Sequence, residues 1–280
     1  MTFGKHAIGI CDWTLKAGPV EELVSRLRTL GLSHVQIALA HLVSKSEVQR
    51  KAFFDTLADA GISVTAGQIS FPGENYASIA TIQKTGGFVP SDTWPARREL
   101  ALAAGKVAAA GGLSGITMHL GFIPPSNDPA YKTIVARAAE VATAYAAEGI
   151  DLLLETGQEK AHELLRFLND LNIRNVGVNF DPANMILYGA GEPIEAVTTL
   201  GRHIRHVHIK DAVQSPNPGV EWGKETPFGS GDLDGQAFLF ALANVGYAGP
   251  LVIEREAVST VDEDVTVTLE RLSDLISRQA

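Results

Sequence analysis

The sequence has little cysteine: Cys11 is the only one among 280 residues. One cysteine excludes an internal disulfide and is typical of a protein in a reducing compartment. A long apolar run is also missing, since no stretch approaches the ~18 residues that a membrane-spanning helix needs. The N-terminal segment MTFGKHAIGI lacks the apolar centre of a signal peptide. These absences predict a cytoplasmic protein that does not enter a membrane.

Basic residues are too few to balance the acidic ones, and the formal net charge is −9. An acidic chain is a poor partner for nucleic acids and for anionic membrane surfaces, so we exclude both as partners. Low-complexity segments and Ser/Gly-rich linkers are absent as well, and nothing in the sequence marks a domain boundary. With 45% hydrophobic residues the chain can bury a large core, and we predict a single domain over residues 1–280.

What the sequence does contain is a repeated alternation of a short strand-like run and an amphipathic helix-like run. The predicted strands cover residues 6–11, 34–39, 62–66, 116–120, 150–155, 176–181, 204–209 and 251–254. Eight such units in a chain of this length predict an α/β fold, a closed parallel (β/α)8 barrel. The alternative, an open doubly wound sheet, would have a glycine-rich phosphate-binding turn after its first strand. The segment DWTLKAGP stands there instead, which favours the barrel.

The stretch VGVNFDPAN at residues 176–184 fixes how the sixth strand faces. Its apolar residues alternate with polar ones until a proline ends the strand, so Asp181 is predicted to point inward at the carboxyl end. The same alternation turns Glu155, His208 and Glu254 inward at the ends of the fifth, seventh and eighth strands. An acidic residue after a strand more often caps a turn, but four such residues at one level predict a site.

Three carboxylates in one barrel mouth would repel one another strongly, so a positive partner must lie among them. A neighbouring cation such as Lys210 is one candidate, but a divalent metal ion satisfies the arrangement with fewer groups. A set of oxygen donors with one imidazole favours Mn²⁺ or Mg²⁺, with Co²⁺ and Zn²⁺ as further candidates. We therefore predict a metal site whose ligands are Glu155, Asp181, His208 and Glu254.

Five motifs in the second half of the chain resemble the xylose isomerase-like TIM-barrel superfamily. This group contains sugar (phosphate) isomerases and epimerases, among them ketose 3-epimerases, and inosose dehydratase. The motifs are LLLET at 152–156, VNFDPAN at 178–184, HVHIKD at 206–211, GSGDLD at 229–234 and VIERE at 252–256. The resemblance implies the same four metal ligands, and an enzyme of carbohydrate metabolism that removes a proton next to a carbonyl group. The motif set is specific for the superfamily but weak for any one substrate.

The sequence departs from these relatives at two places. Asn184 stands where ketose 3-epimerases usually have a histidine, which weakens an assignment to ketose epimerisation in particular. Gln36 stands on the second strand where many relatives have a glutamate. The DNA-repair endonuclease branch of the fold needs additional histidine ligands, and the acidic charge opposes DNA binding, so we set that branch aside.

The two glutamates are predicted to be catalytic as well as metal-binding. Glu155 and Glu254 lie three strands apart and can flank a metal ion from opposite sides. One removes a proton and the other returns it on the opposite face, which is epimerisation. The same pair serves a 1,2-isomerisation, or a dehydration or lyase reaction on a keto-sugar or inosose. A non-catalytic sugar-binding barrel is the alternative without chemistry.

Four further residues are predicted to bind the carbohydrate substrate. They are His119, Lys210, Asn184 and Trp13, each near the end of a predicted strand. Glu159 is predicted to lie in the first turn of the helix after the fifth strand, where its charge would complement the helix dipole. The predicted partner is thus a small carbohydrate, and assembly into a homo-oligomer is compatible with the sequence.

Overall fold

Eight parallel strands of the described chain close on themselves at the centre of the molecule. The structure is a computed structural model that describes residues 2–3, 6–256 and 261–277. Strands β1 to β8 are His6–Cys11, His34–Ala38, Ser63–Gln68, Gly115–Met118, Asp151–Glu155, Val176–Phe180, Ile204–Ile209 and Leu251–Ile253. Each strand pairs in parallel with the next, and β8 pairs with β1, which closes the sheet. The prediction of a single (β/α)8 barrel is confirmed.

Helices connect the strands and cover the outside of the barrel. They are Asp12–Leu15, Val20–Thr29, Ala40–Val43, Glu47–Asp59, Ile79–Thr85, Trp94–Ala110, Pro129–Ala147, Ala161–Leu171, Pro182–Tyr188, Pro193–Leu200, Gly235–Asn244 and Val261–Ser277. Local sequence explains several of their starts. Ser46 and Gln49, for example, form a capping box before Glu47–Asp59, in which each side chain accepts from the other residue's backbone N–H. No helix within the described ranges has the length and apolarity required to cross a membrane.

Short extra elements lie at the carboxyl ends of the strands, where the sequence predicted only connections. Beside the short helices after β1, β2, β3 and β6, two strands, Asp211–Val213 and Lys224–Thr226, pair antiparallel after β7. A further two-residue strand, Thr2–Phe3, pairs antiparallel with β1. The ends of the predicted domain, residues 1 and 280, lie outside the described residues. The loops of the barrel mouth are therefore built into a structured rim.

The apolar core lies between the strands and the surrounding helices. Side chains such as Ile116, Val178 and Phe180 have no solvent exposure. Inside the barrel, towards the carboxyl ends of the strands, polar residues are buried as completely. Gln36, Thr117, Asn179 and His206 have exposures between 0% and 1%. Because buried polar groups are costly unless they are hydrogen-bonded, these residues must form a paired network.

Candidate metal and active site

The four predicted metal ligands lie side by side at the carboxyl ends of β5 to β8. Glu155 ends β5, Asp181 follows β6, His208 lies one residue before the end of β7, and Glu254 follows β8. One donor atom of each lies within 4.8 Å of those of the others, and all four residues are buried. Three carboxylates and one imidazole at this spacing fit an oxygen-preferring divalent ion such as Mg²⁺ or Mn²⁺. Their role as ligands stays a prediction.

The imidazole of His208 presents one defined nitrogen to the carboxylates. Its Nδ1 lies between 3.3 and 3.6 Å from an oxygen of each of the three. Its Nε2 lies on the other side, 2.8 Å from Oε1 of Gln36. Nε2 of Gln36 donates to Oγ1 of Thr117 at 2.8 Å, so Oε1 is the end that accepts from the histidine. The Gln36 amide thus keeps a proton on Nε2 and leaves Nδ1 as the nitrogen available for a cation.

The charge of His208 reflects the need for a positive group at this point. Burial by itself lowers the pKa of His208, but Glu254, Glu155 and a hydrogen bond to Asp181 raise it well above its usual value. The three carboxylates therefore favour a cation at Nδ1. That cation can be a proton or a metal ion, and the two compete for one nitrogen.

Glu155 is held by two amide side chains. Asn184 Nδ2 donates to Oε1 at 3.0 Å, and Asn179 Nδ2 donates to Oε2 at 3.2 Å. Oδ1 of Asn179 in turn lies 2.8 Å from Nδ1 of the buried His206. Gly157 allows the chain after Glu155 to approach Asn184, since a β-carbon there would lie 2.6 Å from Cβ of Asn184, and its φ of +143° disfavours other residues. Both oxygens of the glutamate are thus fixed.

Glu254 is held by an indole and an ammonium group. Trp13 Nε1 donates to Oε1 at 2.8 Å, and Lys210 Nζ donates to Oε2 at 2.8 Å. Lys210 also donates to Oε2 of Glu256 at 2.8 Å. Burial raises the pKa of Glu254, but the charges of Lys210 and His208 outweigh it and hold the pKa well below its usual value.

Glu155 is ionised for a related reason. Burial raises its pKa, while His119 and His208 lower it, and the net shift is downward. His119 Nε2 lies 3.5 Å from Oε1 of Glu155. Because both predicted catalytic glutamates carry a charge, either one can accept a proton.

The two carboxylate oxygens of Asp181 have different surroundings. It is the N-cap of the helix Pro182–Tyr188, where Oδ1 accepts from the backbone N–H of Asn184 at 2.9 Å. Its other oxygen, Oδ2, lies 3.4 Å from Nδ1 of His208. Burial raises the pKa of Asp181 above its usual value. Oδ1 of Asp181 thus caps the turn, while Oδ2 faces the candidate metal site, where its role as a ligand stays a prediction.

Cys11 offers a second, weaker group of donors with His208 and Glu254. Its Sγ lies 3.9 Å from His208 Nε2 and 3.5 Å from Gln36 Oε1. Burial raises the pKa of the Cys11 thiol, which keeps it protonated. Since the thiolate is the form that binds metals, this group is the poorer site.

A cavity of 720 Å³ opens beside the four donors, a size typical of small-molecule sites. All four residues predicted to bind substrate line it: Trp13, His119, Asn184 and Lys210. Nδ1 of His119 is buried, and no residue of the described chain pairs with it. The structure therefore brings these four side chains to one space, and their contact with a substrate stays a prediction.

Sequence reasoning missed two aromatic residues of this cavity. Tyr76 and Tyr188 line it together with Trp222, and the rings of Tyr188 and Trp222 are 4.6 Å apart. Neither tyrosine directly follows a strand, since Tyr76 lies in the long segment after β3 and Tyr188 ends the short helix after β6. A tyrosine within the segment that follows a barrel strand is the signal that could have identified them.

Glu159 does not lie in a helix, so that expectation was wrong. The next helix begins at Ala161, and the Glu159 carboxylate is buried before it, accepting from the backbone N–H of Ile123 at 3.0 Å. Burial raises the pKa of Glu159 to about 7. The side chain joins the segments that follow β4 and β5, and it serves the rim of the barrel rather than a helix dipole.

Comparison with known families now decides the classification. The family model described as xylose isomerase-like TIM barrel matches residues 24–274. The chain belongs to this family. The resemblance predicted from the five motifs is thereby confirmed, and the match extends over the first half of the chain, where no motif was found.

Individual relatives of this xylose isomerase-like barrel differ in how much of the chain they cover. A xylose isomerase domain protein from Planctomyces limnophilus is 36% identical, with a TM-score of 0.90, and the match covers 98% of this chain and 97% of that one. The uncharacterized protein YihM of Escherichia coli strain K12 is 38% identical over 94 residues, which are 33% of this chain and 28% of YihM. This chain thus spans less than a third of that relative.

Two solved structures with lower identity share the fold. A xylose isomerase-like TIM barrel protein from Mycobacterium smegmatis, solved in complex with magnesium, is 17% identical with a TM-score of 0.74, covering 98% of this chain and 97% of that one. The 3-keto-D-glucoside 4-epimerase YcjR of E. coli, in its apo form, is 17% identical with a TM-score of 0.73, covering 96% and 99%. At such identities the likeness concerns the fold alone.

Proposed function

We propose that this protein is a divalent-metal-dependent isomerase or epimerase that acts on a sugar or sugar derivative. The observation that carries the proposal is the buried cluster of Glu155, Asp181, His208 and Glu254 beside a cavity. The cluster fits Mg²⁺ or Mn²⁺ by its donor atoms. The named activity of a neighbour with the same fold, a 3-keto-D-glucoside 4-epimerase, supports carbohydrate chemistry.

The two glutamates are the proton-transfer groups of this proposal. Glu155 and Glu254 are both ionised, and they come from the end of β5 and from the residue after β8, three strands apart. One accepts the proton from the carbon next to the substrate carbonyl, and the other returns a proton from the opposite face. The amides that hold Glu155 and the indole that holds Glu254 keep each carboxylate in place while its charge changes.

The remaining residues orient the substrate. A divalent ion at the cluster would stabilise the negative charge that develops on the substrate oxygens. His119 offers an unpartnered Nδ1 to a hydroxyl group, and Lys210 and Asn184 lie on the same cavity wall. Tyr188 and Trp222 close the apolar side of the cavity. In this proposal, the carbon that loses its proton would lie between the two glutamates.

A metal-dependent hydrogen-exchange screen tests the proposal. The purified protein is analysed for bound metal, loaded with Mn²⁺, and incubated in heavy water with ketoses, inososes and 3-keto-glycosides. We expect deuterium at a carbon next to the carbonyl group, together with the isomer or epimer, and loss of both after chelation. Loss of water from the substrate would identify the dehydratase alternative. Full exchange by the chelated protein, or no exchange on any probe, would contradict the proposal.

A further inference from the structure

The wall of the cavity carries more negative than positive charge. Its described carboxylates are Glu155, Glu225, Glu254 and Glu256. Lys210 is the only lysine or arginine among the described lining residues, and its ammonium lies 2.8 Å from both Glu254 and Glu256 and is thereby neutralised. Asp181, which belongs to the cluster but does not line the cavity, adds a fifth carboxylate beside a divalent ion bound there. Lys210, a divalent ion and Arg255, which is bound to Glu225, together carry four positive charges against these five carboxylates, so one negative charge remains when the metal site is filled.

The arginine next to Glu254 in the sequence is also bound to carboxylates. Arg255 follows Glu254, and only 7% of it is exposed. Its Nη1 lies 2.5 Å from Oε1 of Glu225, and its Nε lies 2.9 Å from Oδ2 of Asp264. Two nitrogens of the guanidinium group are thus bound to carboxylates of the protein. A phosphate group in the cavity would have to displace one of them.

The glycine-rich turn after β7 is occupied by a carboxylate of the chain itself. In (β/α)8 barrels, substrate phosphates are frequently bound by the loops after the seventh and eighth strands. Here the N–H groups of Gly229 and Gly231 both donate to Oδ2 of Asp211 at 2.9 Å, and the N–H of Leu233 donates to Oδ1 at 3.2 Å. Backbone N–H groups that converge in this way form an anion site, and Asp211 already fills it.

The helix after β8 disfavours an anion as well. A helix N-terminus attracts negative charge, but the first turn of Val261–Ser277 contains three acidic residues, Asp262, Glu263 and Asp264. An approaching phosphate would therefore meet carboxylates both at the glycine-rich turn and at the start of this helix.

The remainder of the wall suits an uncharged ring with hydroxyl groups. Trp13, Tyr76, Tyr188 and Trp222 line the cavity. Nε1 of Trp222 and Nδ1 of His119 are buried, and neither has a hydrogen-bond partner among the described residues. Aromatic rings cover apolar C–H surface, and polar atoms without partners can bind hydroxyl groups.

We propose that the cavity accepts uncharged saccharides and rejects their phosphate esters. The location of the substrate rests on the function proposed above, whereas the preference rests on the charges of the wall. Because an anion beside several carboxylates is repelled, a phosphate ester binds about tenfold or more weakly than the free sugar. The substrate class is thus the free ketose or keto-glycoside.

Matched pairs of probes test this preference by binding rather than by turnover. Titration calorimetry with the Mg²⁺-loaded protein compares D-fructose with D-fructose 6-phosphate, and D-ribulose with D-ribulose 5-phosphate. We expect the free sugar of at least one pair to bind about tenfold tighter than its ester. The proposal is overturned if, in every pair that binds, the ester binds as tightly as the free sugar or more tightly, or if neither free sugar binds.

A charge variant tests the physical cause. Glu256→Gln removes one carboxylate of the wall at nearly constant side-chain size. It should improve ester binding several-fold and so reduce the difference in affinity between the free sugar and its ester. Glu221→Gln, at an exposed position of the segment after β7, is the matched control and should leave the difference unchanged. An unaltered difference in Glu256→Gln would overturn the role of the wall charge.

The two proposals fail in different ways. Tight ester binding with deuterium exchange would overturn the substrate class and leave the isomerase or epimerase function. The expected preference without any exchange on the free sugars would uphold the substrate class and contradict the function.

Discussion

The two halves of the barrel contribute different kinds of side chain to the site. Strands β5 to β8 and the residues just after them supply all four candidate ligands. The half from β1 to β4 supplies Trp13, Gln36 and His119, which contact these ligands without being carboxylates. Charge is therefore concentrated in one half, and neutral groups that fix its geometry come from the other.

This difference explains why the motifs were confined to the second half of the chain. A carboxylate that binds a cation must stand at one position, since neighbouring positions of a strand point to the other face. A hydrogen-bond partner can be an amide, an indole or an imidazole on any nearby loop. The first half of the barrel thus supplies partners for the candidate ligands without a short, recognisable sequence pattern.

The largest effect is expected when a candidate metal ligand is removed from the half formed by β5 to β8. We expect Asp181→Ala or His208→Ala to reduce metal affinity by more than ~10²-fold, since outer-shell partners alone contribute about 10–100-fold. The fold should persist, because neither side chain fills a large apolar volume. Elemental analysis after dialysis measures the metal, and circular dichroism checks the fold. Asp151→Ala, at the other end of β5, is the control and should retain metal; equal retention in all variants would contradict the metal site.

The next test separates proton transfer from metal binding. Glu155→Gln and Glu254→Gln keep an oxygen donor and the side-chain size, so each should retain some metal. Each should lose roughly 10²–10⁴-fold in turnover, the usual contribution of general acid–base catalysis. In an epimerase, one variant should still exchange a proton from one epimer and the other variant from the opposite epimer, as read by deuterium incorporation. Normal turnover in both would refute their assigned role.

A smaller effect on metal affinity is expected from a substitution in the half from β1 to β4. Gln36→Leu removes the acceptor of the His208 Nε2 proton and should weaken metal binding by about 10–100-fold. Gln36→Glu keeps an acceptor and should retain tighter binding than Gln36→Leu. Titration calorimetry with Mn²⁺ measures both variants. Equal affinity in the two would mean that the first half does not orient the histidine.

The smallest effect concerns Glu159, which joins the two halves through Ile123. Its pKa is about 7 when folded and near its usual value of 4.5 when unfolded, because burial disfavours the charge. Between these values the folded state holds more protons, so this group lowers the free energy of unfolding as the pH rises from about 4.5 to 7. The decrease in the free energy of unfolding is on the order of 1–3 kcal/mol, and Glu159→Gln should not show it.

Urea denaturation of both proteins at pH 5 and pH 8 measures the effect. Exposed Glu148→Gln, at the end of the preceding helix, serves as control. The same pH dependence in Glu159→Gln and the original protein would show that Glu159 carries no burial penalty.

The sequence by itself determined the number and order of the strands and the four residues at the ends of β5 to β8. Strand periodicity and the Asp-Pro break fix which side chains face inward, and these are local properties of the chain. The negative net charge and the motifs of the xylose isomerase-like barrels are also properties of the sequence alone.

The tertiary structure alone decided which partners the polar residues contact. Gln36 meets His208, Trp13 meets Glu254 and Asp211 fills the turn at Gly229, and each of these contacts joins distant parts of the sequence. Glu159 was misplaced for the same reason, because its burial depends on a neighbouring loop. Local periodicity cannot encode such contacts, since they depend on where barrel closure brings separate loops together.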